Sequence, residues 1–182
     1  MTASDATVAT SHHPEPPRNL AVTDAPAPAD IAVISDALDR FNTEHTAIAD
    51  RRALAVLVRD PATRQVVGGL TGRTSLGLFF LDLFYLPPQL RGGGLGTQIL
   101  AQAENEAHAR GCRRAVLYTI TFQAPAFYEK HGWTRLGEVP CDPTGTSRVF
   151  MTKELAAPTG ARRHRDGHVG QTAAAVCPAQ VR

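Results

Sequence analysis

The stretch of the 182-residue sequence most suggestive of chemistry is 91–96, an arginine followed by glycines, set between an apolar run and a helix-like segment. A tight turn from a strand into a helix leaves several backbone N–H groups without partners inside the helix. Glycines let an anion approach these groups closely, and the helix dipole favours negative charge there. The stretch therefore has the chemistry of a phosphate site, with a merely flexible connection as the alternative.

Two common phosphate-binding patterns do not fit the glycines. A P-loop needs a lysine followed by serine or threonine, and no lysine follows here. A dinucleotide fingerprint needs Gly-x-Gly-x-x-Gly, but the sixth position is Thr97 counted from Gly92 and Ile99 counted from Gly94. A nucleotide-binding α/β protein is therefore a weaker alternative.

A single carboxylate stands in the apolar run before the glycines. Asp82 is the only charged side chain between residues 76 and 86. Because burying an unpaired carboxylate is costly, the residue is expected to have a partner or a function. A functional carboxylate and a structural carboxylate held by backbone donors are the two alternatives.

The elements that must position these residues follow from hydrophobic patterning. Residues 18–24 are a strand candidate, and apolar residues at helical spacing predict a helix over 31–41. Residues 53–60 and 64–73 are predicted to form a hairpin, joined by turn-forming residues. In the run 76–86 both the odd and the even positions are mostly apolar, which predicts a strand covered on both faces.

The second half of the domain is predicted to be a β-α-β unit. A helix is expected over 94–110, followed by a buried strand over 113–120. A short helix over 124–132 and a closing strand over 148–155 complete the unit. Meander strands followed by β-α-β predict an α/β fold with a mixed sheet.

Composition bounds the class of protein. Residues 18–155 are expected to form one domain between disordered segments 1–17 and 156–182, which contain few large apolar side chains. The formal net charge of +2 is too small to indicate nucleic-acid binding. The three cysteines form no disulfide or zinc pattern, and neither an export signal nor a membrane span is recognised. A cytoplasmic protein without a metal is the expectation.

Taken with its surroundings, the glycine stretch resembles a family motif. Residues 91–96 match Arg/Gln-x-x-Gly-x-Gly/Ala, the acetyl-CoA pyrophosphate motif of the GNAT superfamily of N-acetyltransferases. Residues 80–96 look like that family's fourth strand and phosphate loop, and 124–133 resemble its second signature helix. Two ordered motifs at the expected separation are more specific than either one, and the resemblance covers about 18–155.

The resemblance implies a fold and a co-substrate site. The fold would be a mixed, mostly antiparallel sheet of about six to seven strands. It would be splayed between strands 4 and 5 and flanked by helices. Acetyl-CoA would place its pyrophosphate on the loop 92–97 and its pantetheine arm along the backbone of 84–86, where one N–H polarises the thioester carbonyl. The implied cofactor-binding residues are Phe84, Tyr85, Leu86, Arg91, Gly92, Gly93, Gly94, Leu95, Gly96, Thr97, Thr121, Ala124 and Phe127.

The resemblance also implies direct transfer of the acetyl group to an amine. An alkyl ammonium is mostly protonated at neutral pH, so a base must remove a proton, and Asp82 matches the position where many members place one. Tyr128 matches the tyrosine that protonates the departing CoA thiolate. Thr121 stands where the family often has an asparagine that contacts the CoA arm, and a hydroxyl cannot imitate an amide.

The expected function is N-acetylation of a primary amine on a small molecule, because no acidic patch or long groove element suggests a protein tail. The acceptor is expected between the first helix, near Phe41, Asn42 and His45, and a loop over 139–148. The alternatives are a catalytically inactive acyl-CoA sensor or scaffold and an acetyltransferase for a peptide or protein amine. The family resemblance is also compatible with a homodimer.

Overall fold

The computed structural model describes residues 19–156. Residues 1–17, and all of 156–182 except Ala156, lie outside the described range, so the expectation of disorder there is not addressed. The elements in chain order are α1 (Pro28–Thr46), β1 (Arg52–Arg59), β2 (Val66–Ser75), β3 (Leu78–Tyr85), a 3-10 turn (Pro88–Leu90), α2 (Leu95–Ala109), β4 (Arg114–Ile120), α3 (Pro125–Lys130), β5 (Thr134–Cys141) and β6 (Thr146–Glu154).

The chain divides into two units, of which the first ends at Ala47. Its helix α1 begins with Pro28 at the first helical position and ends at Thr46. The next residue, Ala47, adopts φ +56° and donates its N–H to the Thr43 carbonyl. This confirms the helix predicted over 31–41. The strand predicted over 18–24 is wrong, because the described residues 19–24 are irregular. Two large apolar side chains, Leu20 and Val22, are too few to fix a strand by burial.

The second unit begins at Ile48 and contains a six-stranded sheet in the order β1-β2-β3-β4-β6-β5. Every neighbouring pair is antiparallel except β3 and β4, which confirms the mixed, mostly antiparallel sheet. The parallel pairing covers only residues 78–80 against 114–116. Beyond these residues β3 and β4 are no longer paired, which is the expected splay.

One face of this sheet carries the core. Buried side chains alternate along the two parallel strands, with Phe79 and Leu81 on β3 and Ala115 and Leu117 on β4. Helix α2 contributes the predicted apolar face to the same core through Ile99, Leu100, Ala103 and Ala107. Each fully buried large apolar side chain stabilises the fold by about 1.5–3 kcal/mol. The core therefore fixes α2, and the glycine loop before it, against the sheet.

The opposite, outer face of β3 is exposed. The register of β2 and β3 shifts so that Thr71 faces Leu83 and Gly72 faces Leu81, which leaves Asp82 as an extra residue between them. Leu83 is 69% exposed and Tyr85 is 58% exposed. The prediction that this strand is covered on both faces is therefore wrong.

The outermost strand β5 was not recognised in the sequence. Its first seven residues are all exposed, and an edge strand of this kind lacks the alternation that marks a half-buried one. The predicted loop over 139–148 is also too long, because its first three residues end β5 and its last three begin β6. Only residues 142–145 connect the two strands.

A partly buried polar cluster joins α2 to the second half of the sheet. Glu104 Oε1 accepts a hydrogen bond from Trp133 Nε1 at 2.9 Å, and its Oε2 lies 2.6 Å from Lys153 Nζ. The side chains of Glu104 and Lys153 are only 14% and 21% exposed. Trp133 in turn packs edge-on against Tyr128, with ring centroids 5.8 Å apart. Glu104 therefore helps to hold the wall behind Tyr128.

Replacement of Glu104 is expected to destabilise the fold. Glu104→Ala leaves the Lys153 ammonium and the Trp133 N–H without their partner, so the free energy of unfolding should fall by about 2–3 kcal/mol in chemical denaturation. Glu106→Ala is the matched control on the same helix, since the Glu106 side chain is 51% exposed and its partner Arg110 also donates to the Ala53 carbonyl. Its loss should be about 0.5 kcal/mol or less. Equal losses for the two variants would contradict the role given to Glu104.

Candidate active site

A cleft of about 760 Å³ opens where β3 and β4 diverge. Three segments line it: the end of β3, the glycine loop with the first turn of α2, and the stretch from β4 through α3. The lining residue from β4, Thr119, is buried and alternates in step with the core residues Ala115 and Leu117 of the same strand. The cleft therefore lies on the α2 side of the splay.

The glycine loop adopts a backbone shape that other residues would resist. Gly92 has φ +82°, and Gly94, the N-cap residue of α2, has φ +81°. A Cβ added at either position would meet no atom within 4 Å, so the loop borders open space. The N–H groups that open α2 have no carbonyl partner within the helix. The loop and the helix start thus form a cradle for an anion.

Arg91 ties this loop to the end of β3. Its Nε donates to the Leu86 carbonyl at 2.7 Å, and its guanidinium carbon lies 6.0 Å from the centre of the Tyr85 ring. Since Arg91 also lines the cleft, its positive charge stands beside the cradle. This charge and the cradle N–H groups both favour an anionic ligand.

Most of the implied cofactor-binding residues line the cleft. They are Phe84, Tyr85, Leu86, Arg91, Gly92, Gly94, Gly96, Thr97, Ala124 and Phe127. Gly93, Leu95 and Thr121 are not among the lining residues. The Thr121 hydroxyl accepts the Ser147 N–H at 3.2 Å instead, which directs it towards β6.

Gln123 lines the cleft and was missed in the sequence. Its Oε1 accepts hydrogen bonds from the Ile120 N–H at 3.1 Å and from the Thr119 hydroxyl at 3.3 Å. With the oxygen occupied in this way, the side-chain NH₂ is left to donate to a ligand. A polar residue in a loop gives no sequence signal for such a role.

Tyr128 is buried in the wall of the cleft. Its side chain is packed between Phe127 and Trp133, and the residue is only 6% exposed. Burial raises the pKa of Tyr128 to about 12, so the phenol is protonated at neutral pH. In residues 19–156 no buried side-chain oxygen lacks a hydrogen bond, and the Tyr128 hydroxyl has no protein partner, so it must reach the cleft surface.

Asp82 lies outside the cleft, on the outer face of the sheet. Its Oδ1 is 2.6 Å from Arg73 Nη1, and its side chain is 46% exposed, so the expectation of a buried carboxylate is wrong. Arg73 also stacks over Phe80 at 4.4 Å, which places these three side chains on one face. Phe80 is the last β3 residue paired with β4. Asp82 therefore stands where the splay begins, on the face opposite α2.

Four further residues of the cleft lining were also missed: Thr119, Phe122, Lys130 and His131. Lys130 adds a second positive side chain to the wall. His131 Nε2 lies 2.9 Å from the Thr97 hydroxyl, so it connects the end of α3 to the start of α2. A histidine at the end of a short helix is too common to indicate such a contact from sequence.

The cysteines of the described range offer no nucleophile for this cleft. Cys112 is buried, and its burial raises the pKa of the thiol, which keeps it in the unreactive form. Cys141 contacts the Thr146 hydroxyl at 3.5 Å and does not line the cleft. Within residues 19–156 no three His, Cys, Asp or Glu side chains are grouped to hold a metal ion, and no helix is long and apolar enough to cross a membrane.

Known proteins resemble this chain in both sequence and fold. The family described as Acetyltransferase (GNAT) domain matches residues 50–135. An acetyltransferase of Agrobacterium fabrum is 34% identical over 122 residues, covering 67% of this chain and 88% of that protein. Blasticidin-S acetyltransferase of Streptomyces morookaense is 34% identical over 92 residues, covering 50% and 68%. A candidate acetyltransferase from Agrobacterium tumefaciens, solved by crystallography, superimposes with a TM-score of 0.67 at 31% identity, covering 75% of this chain and 99% of that one.

Proposed function

The chain belongs to the GNAT family of acetyltransferases, and on that premise we propose that it moves the acetyl group of acetyl-CoA to the primary amine of a small molecule. Family membership makes the protein an acyltransferase; the acceptor and the residue roles are the proposal. The observation that carries it is the cleft itself. It has an anion cradle at one end and the protonated hydroxyl of Tyr128 in its wall.

The cleft suits the chemical parts of acetyl-CoA. The pyrophosphate would lie against the cradle at 92–97, with Arg91 and Lys130 supplying positive charge. The pantetheine arm would enter the gap where β3 and β4 are unpaired and use backbone groups at 84–86. The free NH₂ of Gln123 takes the part of an amide donor to this arm, a part that Thr121 does not fill.

The two candidate catalytic side chains stand on opposite faces of the splay. An acceptor amine approaching from the outer face would meet Asp82, which takes a proton from the ammonium or passes it to water. The neutral amine then attacks the thioester carbonyl, the C–S bond breaks, and the nitrogen loses its second proton to solvent as it becomes the amide. Tyr128 donates its proton to the departing thiolate from the α2 side and regains a proton from solvent. The exposure of Asp82 suits this role, because the carboxylate must be open to an acceptor.

The choice of a small-molecule acceptor draws on a relative. The blasticidin-S acetyltransferase is named for a small molecule and is 34% identical to this chain over its matched region. An acceptor of this size would also suit a site reached through the gap between two strands. A peptide or protein amine is the outcome to test against it.

The cofactor can be tested by thermal unfolding with acetyl-CoA, CoA, ATP and NAD in parallel. Acetyl-CoA and CoA should raise Tm, and ATP and NAD should not, because only a ligand bound to the folded state stabilises it. Gly94→Ala should weaken CoA binding about tenfold, since the loop would leave the left-handed conformation in the free protein and binding would have to restore it at about 1–2 kcal/mol. Gly93→Ala is the matched control, because Gly93 has no positive φ and open space for a Cβ.

Transfer itself requires a second assay, release of the CoA thiol with a panel of amines. Release that depends on a small amine supports the proposal, whereas release only with peptides would assign a protein acceptor. Binding of acetyl-CoA without release for any amine would indicate a sensor or scaffold instead. No shift of Tm with acetyl-CoA or CoA would remove the glycine loop as a cofactor site.

A further inference from the structure

A pair of polar side chains connects the two walls of the cleft at its phosphate end. Thr97 lies in the first turn of α2, and its hydroxyl is 2.9 Å from Nε2 of His131, the residue after α3. The other ring nitrogen, Nδ1, is 2.7 Å from the Phe127 carbonyl. Because a carbonyl oxygen only accepts hydrogen bonds, Nδ1 must carry a proton. The tautomer of His131 is fixed by this contact.

In this tautomer two acceptors compete for the single hydrogen of the Thr97 hydroxyl: Nε2 of His131 and an oxygen of a bound phosphate. In neutral His131 the Nε2 atom is an acceptor, so the Thr97 O–H must point towards it. The hydroxyl has a single hydrogen and cannot donate at the same time to a phosphate oxygen. A second proton on the ring reverses the bond, because Nε2–H then donates to Thr97 Oγ1. The hydroxyl hydrogen is thereby free to turn into the cleft.

We propose that His131 is a positioning residue for the pyrophosphate, acting through Thr97, and that cofactor binding is accompanied by uptake of a proton at Nε2. The inference rests on the proposed function, since it needs the pyrophosphate in the cradle at 92–97. The proton taken up by Nε2 comes from solvent. The Thr97 hydroxyl then rotates, so that it donates its hydrogen bond to a phosphate oxygen instead of to Nε2. No covalent bond of the cofactor forms or breaks in this step.

The charged groups near Thr97 and His131 leave the bound pyrophosphate as the negative charge that would balance a protonated His131. Arg91 and Lys130 line the same cleft, so the nearby charged side chains of the lining are positive. Glu104 on α2 is held by Trp133 and Lys153, and Glu129 on α3 is held by Arg135. The Phe127 ring that stacks on His131, 4.5 Å between centroids, carries no charge. In the described range no carboxylate contacts His131, so the phosphate supplies the compensating charge.

The test is calorimetric titration with dephospho-CoA near pH 7 in buffers of different ionisation enthalpy, in which the slope of observed against buffer enthalpy counts protons. Dephospho-CoA keeps the pyrophosphate and lacks the 3′-phosphate, whose own titration would add protons. The wild type should take up a clear fraction of one proton per ligand. His131→Gln should take up none while keeping its affinity within about threefold, since an amide can donate to Thr97 without titrating.

Two more variants and the possible outcomes complete the test. Thr97→Val should take up no proton. Its affinity for dephospho-CoA should fall about tenfold, because one hydrogen bond to a charged group is lost. His108→Gln, on α2 and outside the cleft lining, should leave the uptake unchanged. Uptake that persists in His131→Gln, or wild-type binding without uptake, would overturn the role of His131 and leave the proposed function standing. No binding of dephospho-CoA or CoA would overturn both.

Discussion

Tyr128→Phe is expected to lower kcat about 10²-fold, the scale of a lost general acid, while the affinity for CoA stays nearly constant. The substitution removes only the hydroxyl, and the ring can still pack between Phe127 and Trp133. Because burial raises the pKa of Tyr128 to about 12, the hydroxyl keeps its proton throughout the working range. Thiol release measures kcat, and calorimetry with CoA measures affinity.

The matched control for this variant is Tyr118→Phe. Tyr118 is also a tyrosine beside an aromatic ring, with its centroid 5.9 Å from that of Phe150, but it does not line the cleft. Its loss of a hydroxyl should change kcat by less than about twofold. Equal rates for Tyr128→Phe and the wild type would reduce Tyr128 to a packing residue.

Asp82→Asn is expected to lower kcat/KM about 10²-fold near neutral pH, because the acceptor ammonium loses its proton acceptor. The deficit should shrink as the pH rises, since an alkyl amine with a pKa of about 10.4 becomes neutral without help from the protein. A profile of kcat/KM against pH for both proteins, with one amine acceptor, measures this directly.

The ion pair with Arg73 provides the control for this interpretation. Arg73→Gln removes the partner of Asp82 but leaves the carboxylate in place. If Asp82 acts as the base, Arg73→Gln should retain most of the activity that Asp82→Asn loses. If the two variants lose equal activity at every pH, the ion pair is structural and Asp82 has no part in proton transfer.

The parts of the fold that the sequence predicted are those fixed by local periodicity or by a long motif. Helix α2 was predicted because its apolar residues recur at the spacing of one buried face. The glycine loop was predicted from its run of glycines, the residues that most readily adopt the positive φ seen at Gly92 and Gly94. These properties are local, so they can be read without knowledge of the neighbours.

What the sequence did not predict depends on neighbours far along the chain. The exposure of Asp82 follows from a register shift between β2 and β3 and from Arg73, neither of which an apolar run reveals. Strand β5 lies at the edge of the sheet and has no buried face to give it a pattern. Gln123 and His131 line the cleft through contacts with Thr119 and Thr97 that only the folded chain brings together.

The short pairing of β3 with β4 also bears on how rigid the sheet is. Only residues 78–80 and 114–116 connect one half of the sheet, β1 to β3, to the other half, β4 to β6. The facing edges beyond these residues expose backbone groups that exchange their amide hydrogens with solvent more readily than paired strands do. A ligand arm laid along these edges would act as a removable strand. It would slow that exchange and extend the short pairing between the two halves of the sheet.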